Sequence, residues 1–85
     1  MLIDEVIKQN LLLRVGKNIR RIRKSKNMTQ ADLAFKLNAD PGKIGRTERG
    51  EYDFKISSLL LIAKGLGVDI CDLINENNED QTKSA

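Results

Sequence analysis

Three residues, Asn38, Ala39 and Asp40, are all that separate two segments with helical patterning, and a link that short forces a sharp angle between the helices it joins. On its near side Asn38 is the stop, because asparagine tolerates the left-handed conformation better than most residues other than glycine. On its far side Asp40 is placed to cap the next helix. Pro41, the single proline of the chain, stands at the first helical position, where a missing N–H does no harm. The segment before the turn opens at Thr29 with Asp32 three residues on, the spacing of a capping box. Its inward residues are predicted as Ala31, Leu33, Ala34 and Leu37. Ala34 falls where the two axes cross most closely, and its small side chain lets them approach. After the turn, Ile44 is the apolar anchor of the second segment.

The helical period extends in both directions. Leu12, Val15, Ile19 and Ile22 recur at spacings of three and four with Arg and Lys between them, which predicts an amphipathic helix with a basic outer face and a left-handed stop at Asn27. Upstream, Val6, Ile7, Leu11 and Leu13 form a separate apolar surface. Gly16 costs a helix about 1 kcal/mol relative to alanine, so one helix or two are both open there. Downstream, residues 50–56 read as a loop. A fourth helix is expected over about 57–66, with Leu59, Leu60, Ile62, Ala63 and Leu66 inward and Gly67 as its stop. Asp69 and Asp72 repeat the capping pattern for a short fifth helix ending near Asn75. From Glu76 the chain is polar, acidic and without periodicity, the composition of a disordered tail. The expectation is an all-α fold of five helices and no sheet: an N-terminal helical extension over 1–12, a domain over 13–75 and a tail over 76–85.

Charge is unevenly spread. Residues 14–49 hold eleven Lys/Arg against three acids, a local +8, whereas residues 69–85 hold five acids against Lys83. One contiguous basic segment suits a polyanion, because each cation near a phosphate releases a condensed counterion. A solvated helix face would carry the same residues. Other chemistries are poorly supplied. There is no histidine, and the single Cys71 allows neither an internal disulfide nor a zinc cluster. No nucleophile and base are at hand, so neither an enzyme nor a cofactor is expected. Cys71 itself reads as a small buried apolar residue of the fifth helix. The apolar runs Leu11 to Leu13 and Leu59 to Ala63 are too short to span a bilayer. Asp4 and Glu5 stand where a secretory signal would be positive. A soluble, cytoplasmic protein with no membrane contact is the expectation.

Residues 28–50, MTQADLAFKLNADPGKIGRTERG, resemble the helix-turn-helix of the Cro/cI-type (Xre-like) DNA-binding family. The matching positions are Met28-Thr29-Gln30, Leu33-Ala34, Leu37, the three-residue turn, Ile44, Arg46 and Glu48-Arg49-Gly50. The likeness continues without a gap through Leu59, Ile62-Ala63-Lys64, Leu66-Gly67-Val68 and Leu73-Ile74, and GKNIRRIR (Gly16 to Arg23) resembles the end of the family's first helix. It covers about residues 13–74. The resemblance implies a Cro/cI-repressor-like fold. It also implies a sequence-specific transcriptional regulator, a repressor or autoregulator, that binds a palindromic operator in double-stranded DNA as a homodimer through the major groove. With Ile44 inward, Lys43 and Arg46 share a face that would offer donors to base edges, and Gly42 would let the backbone come close. Gln30, Arg49 and Lys55 fall where the family contacts phosphates. Arg23 and Glu48 match positions that the family pairs as a partly buried ion pair, so both read as structural; Arg20, Arg21 and Lys24 read as solvated charge.

This chain also departs from the family. Asp40 stands where Ser or Thr usually caps, and an acid near phosphates is repelled unless the helix terminus shields it. Pro41, Gly42 and Gly45 remove side chains that often read bases. Thr47 stands where an apolar residue is common, and Lys55 where Ser or Thr would cap the fourth helix, leaving Ser57 as an alternative cap. Readout would then rest on few side chains and on DNA shape. Two surfaces are candidates for dimerisation, the N-terminal piece (Val6, Ile7, Leu11) and the fifth helix (Ile70, Leu73, Ile74). The second is favoured, because so short a helix should not bury all its apolar residues in its own subunit. The alternative function is an antitoxin or anti-repressor, whose main partner is another protein, drawing on the acidic tail and the N-terminal apolar piece.

Overall fold

Gly16 does not break the first helix. The computed structural model describes residues 2–76, and in it α1 (Leu2–Ser25) is continuous, followed by α2 (Gln30–Leu37), α3 (Pro41–Glu48), α4 (Ile56–Leu66) and α5 (Ile70–Ile74), with no strand among the described residues. The glycine is there for packing. A Cβ on Gly16 would lie 2.6 Å from the Thr47 carbonyl oxygen and closer still to that of Glu48, so the end of α3 rests directly on the α1 backbone. The tail expected from residue 76 lies, beyond Glu76, outside the described residues. Among those residues no helix is long and apolar enough to cross a membrane.

The helix ends follow local side-chain chemistry. Asn27 (φ 58°), Asn38 (φ 53°) and Gly67 (φ 73°) adopt the left-handed conformation after α1, α2 and α4. Thr29 with Asp32 and Asp69 with Asp72 form reciprocal capping boxes, and the Asp40 carboxylate accepts the Gly42 N–H at 3.2 Å. The Thr29 N–H holds the Asp32 carboxyl below the usual carboxylate range, and the Cys71 N–H does the same for Asp69. Lowered values mean that the charged caps act in full above the ordinary carboxylate range and are lost only as pH falls below it, through the lowered values.

Val15, Ile19 and Ile22 of α1 pack with Leu33, Ala34, Ile44, Leu59, Ile62, Ala63, Leu66 and Leu73 in one core. Asn18 is buried beside them and donates from Nδ2 to the carbonyls of Leu73 (2.9 Å) and Asn75 (2.8 Å). It thereby ties the C-terminal end of α5 to α1. Thr47, where an apolar side chain is common, is buried with its hydroxyl donating to the Lys43 carbonyl at 2.8 Å. No buried side-chain polar atom among the described residues lacks a partner.

Five expectations are corrected. The fourth helix begins at Ile56, so Ser57 lies inside its first turn and caps nothing; Lys55 is the N-cap and makes no side-chain cap bond. Leu60 is exposed, because Leu59, Ile62, Ala63 and Leu66 take the inner face of α4. Ala31 is exposed, since α2 buries only its Leu33–Ala34 side. Cys71 is exposed too: α5 buries itself through Leu73, which leaves the thiol outside. A hydrogen bond to Asp69 and the charge of that carboxylate push the Cys71 thiol above its ordinary value, so it is a poor source of thiolate. Finally, Leu73 is 0% exposed within its own subunit and so offers no surface for dimerisation, whereas Ile70 and Ile74 of α5 stay half-buried, in line with the reading of so short a helix. Leu73 packs in the core with Val15 and Ile19 of α1.

Candidate nucleic-acid interface

The two helices on either side of the short turn are held in place from behind. Glu48, at the end of α3, receives Arg23 of α1 in a two-pronged pair, Nε to Oε2 at 2.6 Å and Nη2 to Oε1 at 3.0 Å. Both side chains are almost fully buried, 7% and 2% exposed. The third guanidinium nitrogen donates to the Met28 carbonyl at 2.8 Å, just before α2. Gln30, the first residue of α2, donates from Nε2 to Glu48 Oε1 at 3.0 Å. One carboxylate thus gathers α1, α2 and α3 with all its charge compensated.

The opposite side of α3 is free. Ile44, Gly45, Thr47 and Glu48 are buried, whereas Pro41, Gly42 and Arg46 are exposed and Lys43 is half-buried. A helix with one face locked and the other carrying Gly42, Lys43 and Arg46 has the geometry needed to enter a groove. Gly45, grouped with Pro41 and Gly42 in the sequence reading as a position stripped of a base-reading side chain, is buried and does not share their open face. A Cβ at Gly45 would lie 3.3 Å from both Arg49 Nη1 and Gln30 Oε1, so the missing side chain makes room for these two to converge. Gln30 spends one amide hydrogen on Glu48 and keeps a second. Arg49, exposed, pairs its Nε with Glu51 Oε2 at 3.1 Å, leaving its Nη groups toward Gly45. Lys55 is exposed across the loop, at the N-cap of α4.

The loop after α3 is braced by the N-terminal half of α1. Gln9 Nε2 donates to the Gly50 carbonyl at 3.3 Å, and Lys8 Nζ lies 3.5 Å from Asp53 Oδ2. Gly50 turns at φ 74°, and a Cβ there would press on Leu13 at 2.8 Å. Within this loop the Tyr52 ring lies under the Lys43 ammonium, 5.0 Å from centroid to Nζ. Sequence reasoning missed three residues that shape the site. Asn18 could have been found, since it lies three residues after Val15 on the buried stripe. Tyr52 offered one signal, an aromatic in a chain with three of them, placed two residues after the ERG. Gly16 gave no signal beyond its cost to a helix.

Apolar side chains remain exposed at the N-terminal end of α1 (Leu2, Ile3, Val6 and Ile7) and on α4 (Ile56, Leu60 and Leu61), with Leu11, Ile70 and Ile74 half-buried.

Comparison with known proteins gives a consistent picture. The sequence profile of the helix-turn-helix family matches residues 19–73. The control protein C.BamHI of Bacillus amyloliquefaciens is 36% identical over 78 residues, which are 87% of this chain and 96% of that protein. The immunity repressor protein of Bacillus phage phi105 is 34% identical over 62 residues, 73% of this chain; the chain spans only 43% of that repressor's length. Among solved structures, the restriction-modification controller protein C.Esp1396I, a tetramer in complex with its natural 35 base-pair operator, superimposes with a TM-score of 0.67 at 40% identity, over 76% of this chain and 96% of that one.

Proposed function

We infer the function from the family: this chain belongs to the Cro/cI-type helix-turn-helix family and is a DNA-binding transcriptional regulator. On our reading it recognises an operator of inverted-repeat form as a homodimer, and it has no catalytic step. The observation that carries this reading is the asymmetry of α3, whose inner face is sealed by Ile44, Thr47 and the Arg23–Glu48 pair while Gly42, Lys43 and Arg46 stay accessible.

In this mechanism α3 enters the major groove with its N-terminal end leading. Arg46 takes guanine O6 and N7 with two hydrogen bonds, Lys43 adds a single donor beside it, and Gly42 lets the backbone approach the bases. The free amide hydrogen of Gln30, the Nη groups of Arg49 and the Lys55 ammonium grip phosphates on either side, fixing register without reading sequence. The α2 N-terminus adds its own field to the Gln30 contact. Because Asp40 already accepts a backbone N–H at the start of α3, that helix end is left to bases and not to a phosphate. One α3 spans too few base pairs for useful discrimination, so two copies act together, and Val6, Ile7, Ile56, Leu60 and Leu61 are among the exposed apolar side chains available to join them, with Phe35 of α2 exposed as well.

Salt dependence tests the electrostatic part. A dimer making about four phosphate contacts per subunit gives a slope of log K against log salt near −7. Titration of a duplex at several salt concentrations measures it, and a slope shallower than about −2 would show that this basic surface is not the footprint.

A further inference from the structure

Lys43 carries one of the two long donors on the open face of α3, yet among the described residues it takes part in none of the ion pairs, which are Lys8–Asp53, Arg14–Glu76, Arg23–Glu48 and Arg49–Glu51. Its ammonium lies instead over the ring of Tyr52, 5.0 Å from the centroid. The loop that carries the ring is itself held in place. The Glu51 N–H donates to the Arg46 carbonyl at 2.9 Å, and Gln9 reaches the Gly50 carbonyl, so the loop carrying Tyr52 is fastened to both α3 and α1. A lysine side chain free in solvent samples many rotamers and loses that freedom when it reaches a base. One already gathered against the negative face of an aromatic ring starts closer to its bound arrangement.

We propose that Tyr52 is a positioning residue that sets sequence preference through Lys43, holding its ammonium beside the base edges that α3 faces. This rests on the DNA-binding reading above. It assigns to the loop after the recognition helix a part in discrimination as well as in phosphate contact. Tyr52 acts through the lysine and need not touch a base.

The test replaces Tyr52 by phenylalanine and by ring-fluorinated phenylalanines, which keep the shape of the ring while draining its negative face, with Tyr52→Leu and Lys43→Met alongside. Binding is measured at one fixed salt to the duplex the parent prefers and to its single-base variants. Lys43 side-chain proton shifts are recorded without DNA. Tyr52→Phe keeps both the upfield ring-current shift on Lys43 and the parental preference. Progressive fluorination, and Tyr52→Leu, reduce discrimination by about threefold to tenfold at the base pair where Lys43→Met also loses it, and combining Tyr52→Leu with Lys43→Met adds nothing further. A flat fluorination series, a uniform loss on all duplexes, or additive effects in the combined variant overturns the proposal. The shape-preserving series decides the matter even if Tyr52→Leu does not fold. A parent chain that prefers no duplex sinks the DNA-binding reading and this proposal together; a discriminating parent with a flat series sinks this proposal alone.

Discussion

Replacing either Arg23 or Glu48 by alanine lowers the stability of this domain by about 3–5 kcal/mol, among the largest effects expected of a single substitution. The reason is the position of the pair. Both side chains are removed from water, and Glu48 accepts two bonds from Arg23 and one from Gln30. Truncating Arg23 strands a buried carboxylate and also leaves the Met28 carbonyl without its donor. Truncating Glu48 strands a guanidinium and frees the Gln30 amide. A small domain has only about 5–15 kcal/mol in total, so each variant is close to unfolding at physiological temperature. Urea unfolding monitored by circular dichroism gives the number. The double alanine variant falls well short of the sum, because the second truncation removes the charge that the first had stranded. Replacement by Arg23→Met with Glu48→Leu recovers much of the loss, as apolar substitutes for buried pairs often do. If both single variants melt like the parent but no longer bind duplex DNA, the pair belongs to the interface and not to the scaffold.

Gly16→Ala inverts an ordinary rule. Inside a helix, alanine in place of glycine adds about 1 kcal/mol of stability. Here the new methyl would meet the carbonyl oxygens of Thr47 and Glu48, backbone atoms that cannot swing aside as a side chain could. α3 must back away from α1 as a body, dragging Glu48 from Arg23. A net loss of about 3 kcal/mol is expected, at the upper end for an overpacked site. Gly42→Ala is the control, since a Cβ there meets nothing closer than Asp40 Oδ2 at 3.5 Å, an ordinary contact, and its stability stays within about 0.5 kcal/mol of the parent or rises. Thermal melts of the two side by side read the contrast. A Gly16→Ala variant as stable as the parent would mean that α1 and α3 do not approach as closely as described.

The parts of the fold that local chemistry decides were legible in the residues. The turn at Asn38 to Asp40, the two capping boxes and the stops at Asn27, Asn38 and Gly67 each depend on a few neighbouring side chains, and each stands where those side chains place it. The matters left open or misread depend on what comes from elsewhere in the chain. Gly16 looks like a weak point until α3 is laid on it, and only then is its lack of a side chain a requirement. Leu73 looks surplus to a five-residue helix until α1 packs on it, and Leu60 and Cys71 look inward until the short helices choose which single face to bury. The same limit applies at the candidate interface. That α3 should have an inner and an outer face follows from Ile44 and its period. That Gly45 is filled by Gln30 and Arg49, and that Lys43 rests on a tyrosine nine residues on, follows only from the placement of the loop.

The claim on which the rest depends is that the open face of α3 reads duplex DNA, with Arg46 as the principal reader. Selection of bound sequences from a random duplex pool, run in parallel with the parent and with Arg46→Ala at one salt concentration, tests it most directly. The parent is predicted to enrich an inverted repeat whose half-sites lie about one helical turn, roughly 34 Å, apart. Arg46→Ala is predicted to return the same repeat with one base pair per half-site relaxed, a loss of about 1–3 kcal/mol at that position and little elsewhere. A parent pool with no enriched sequence, or an Arg46→Ala pool that is weaker everywhere but unchanged in preference, would contradict it.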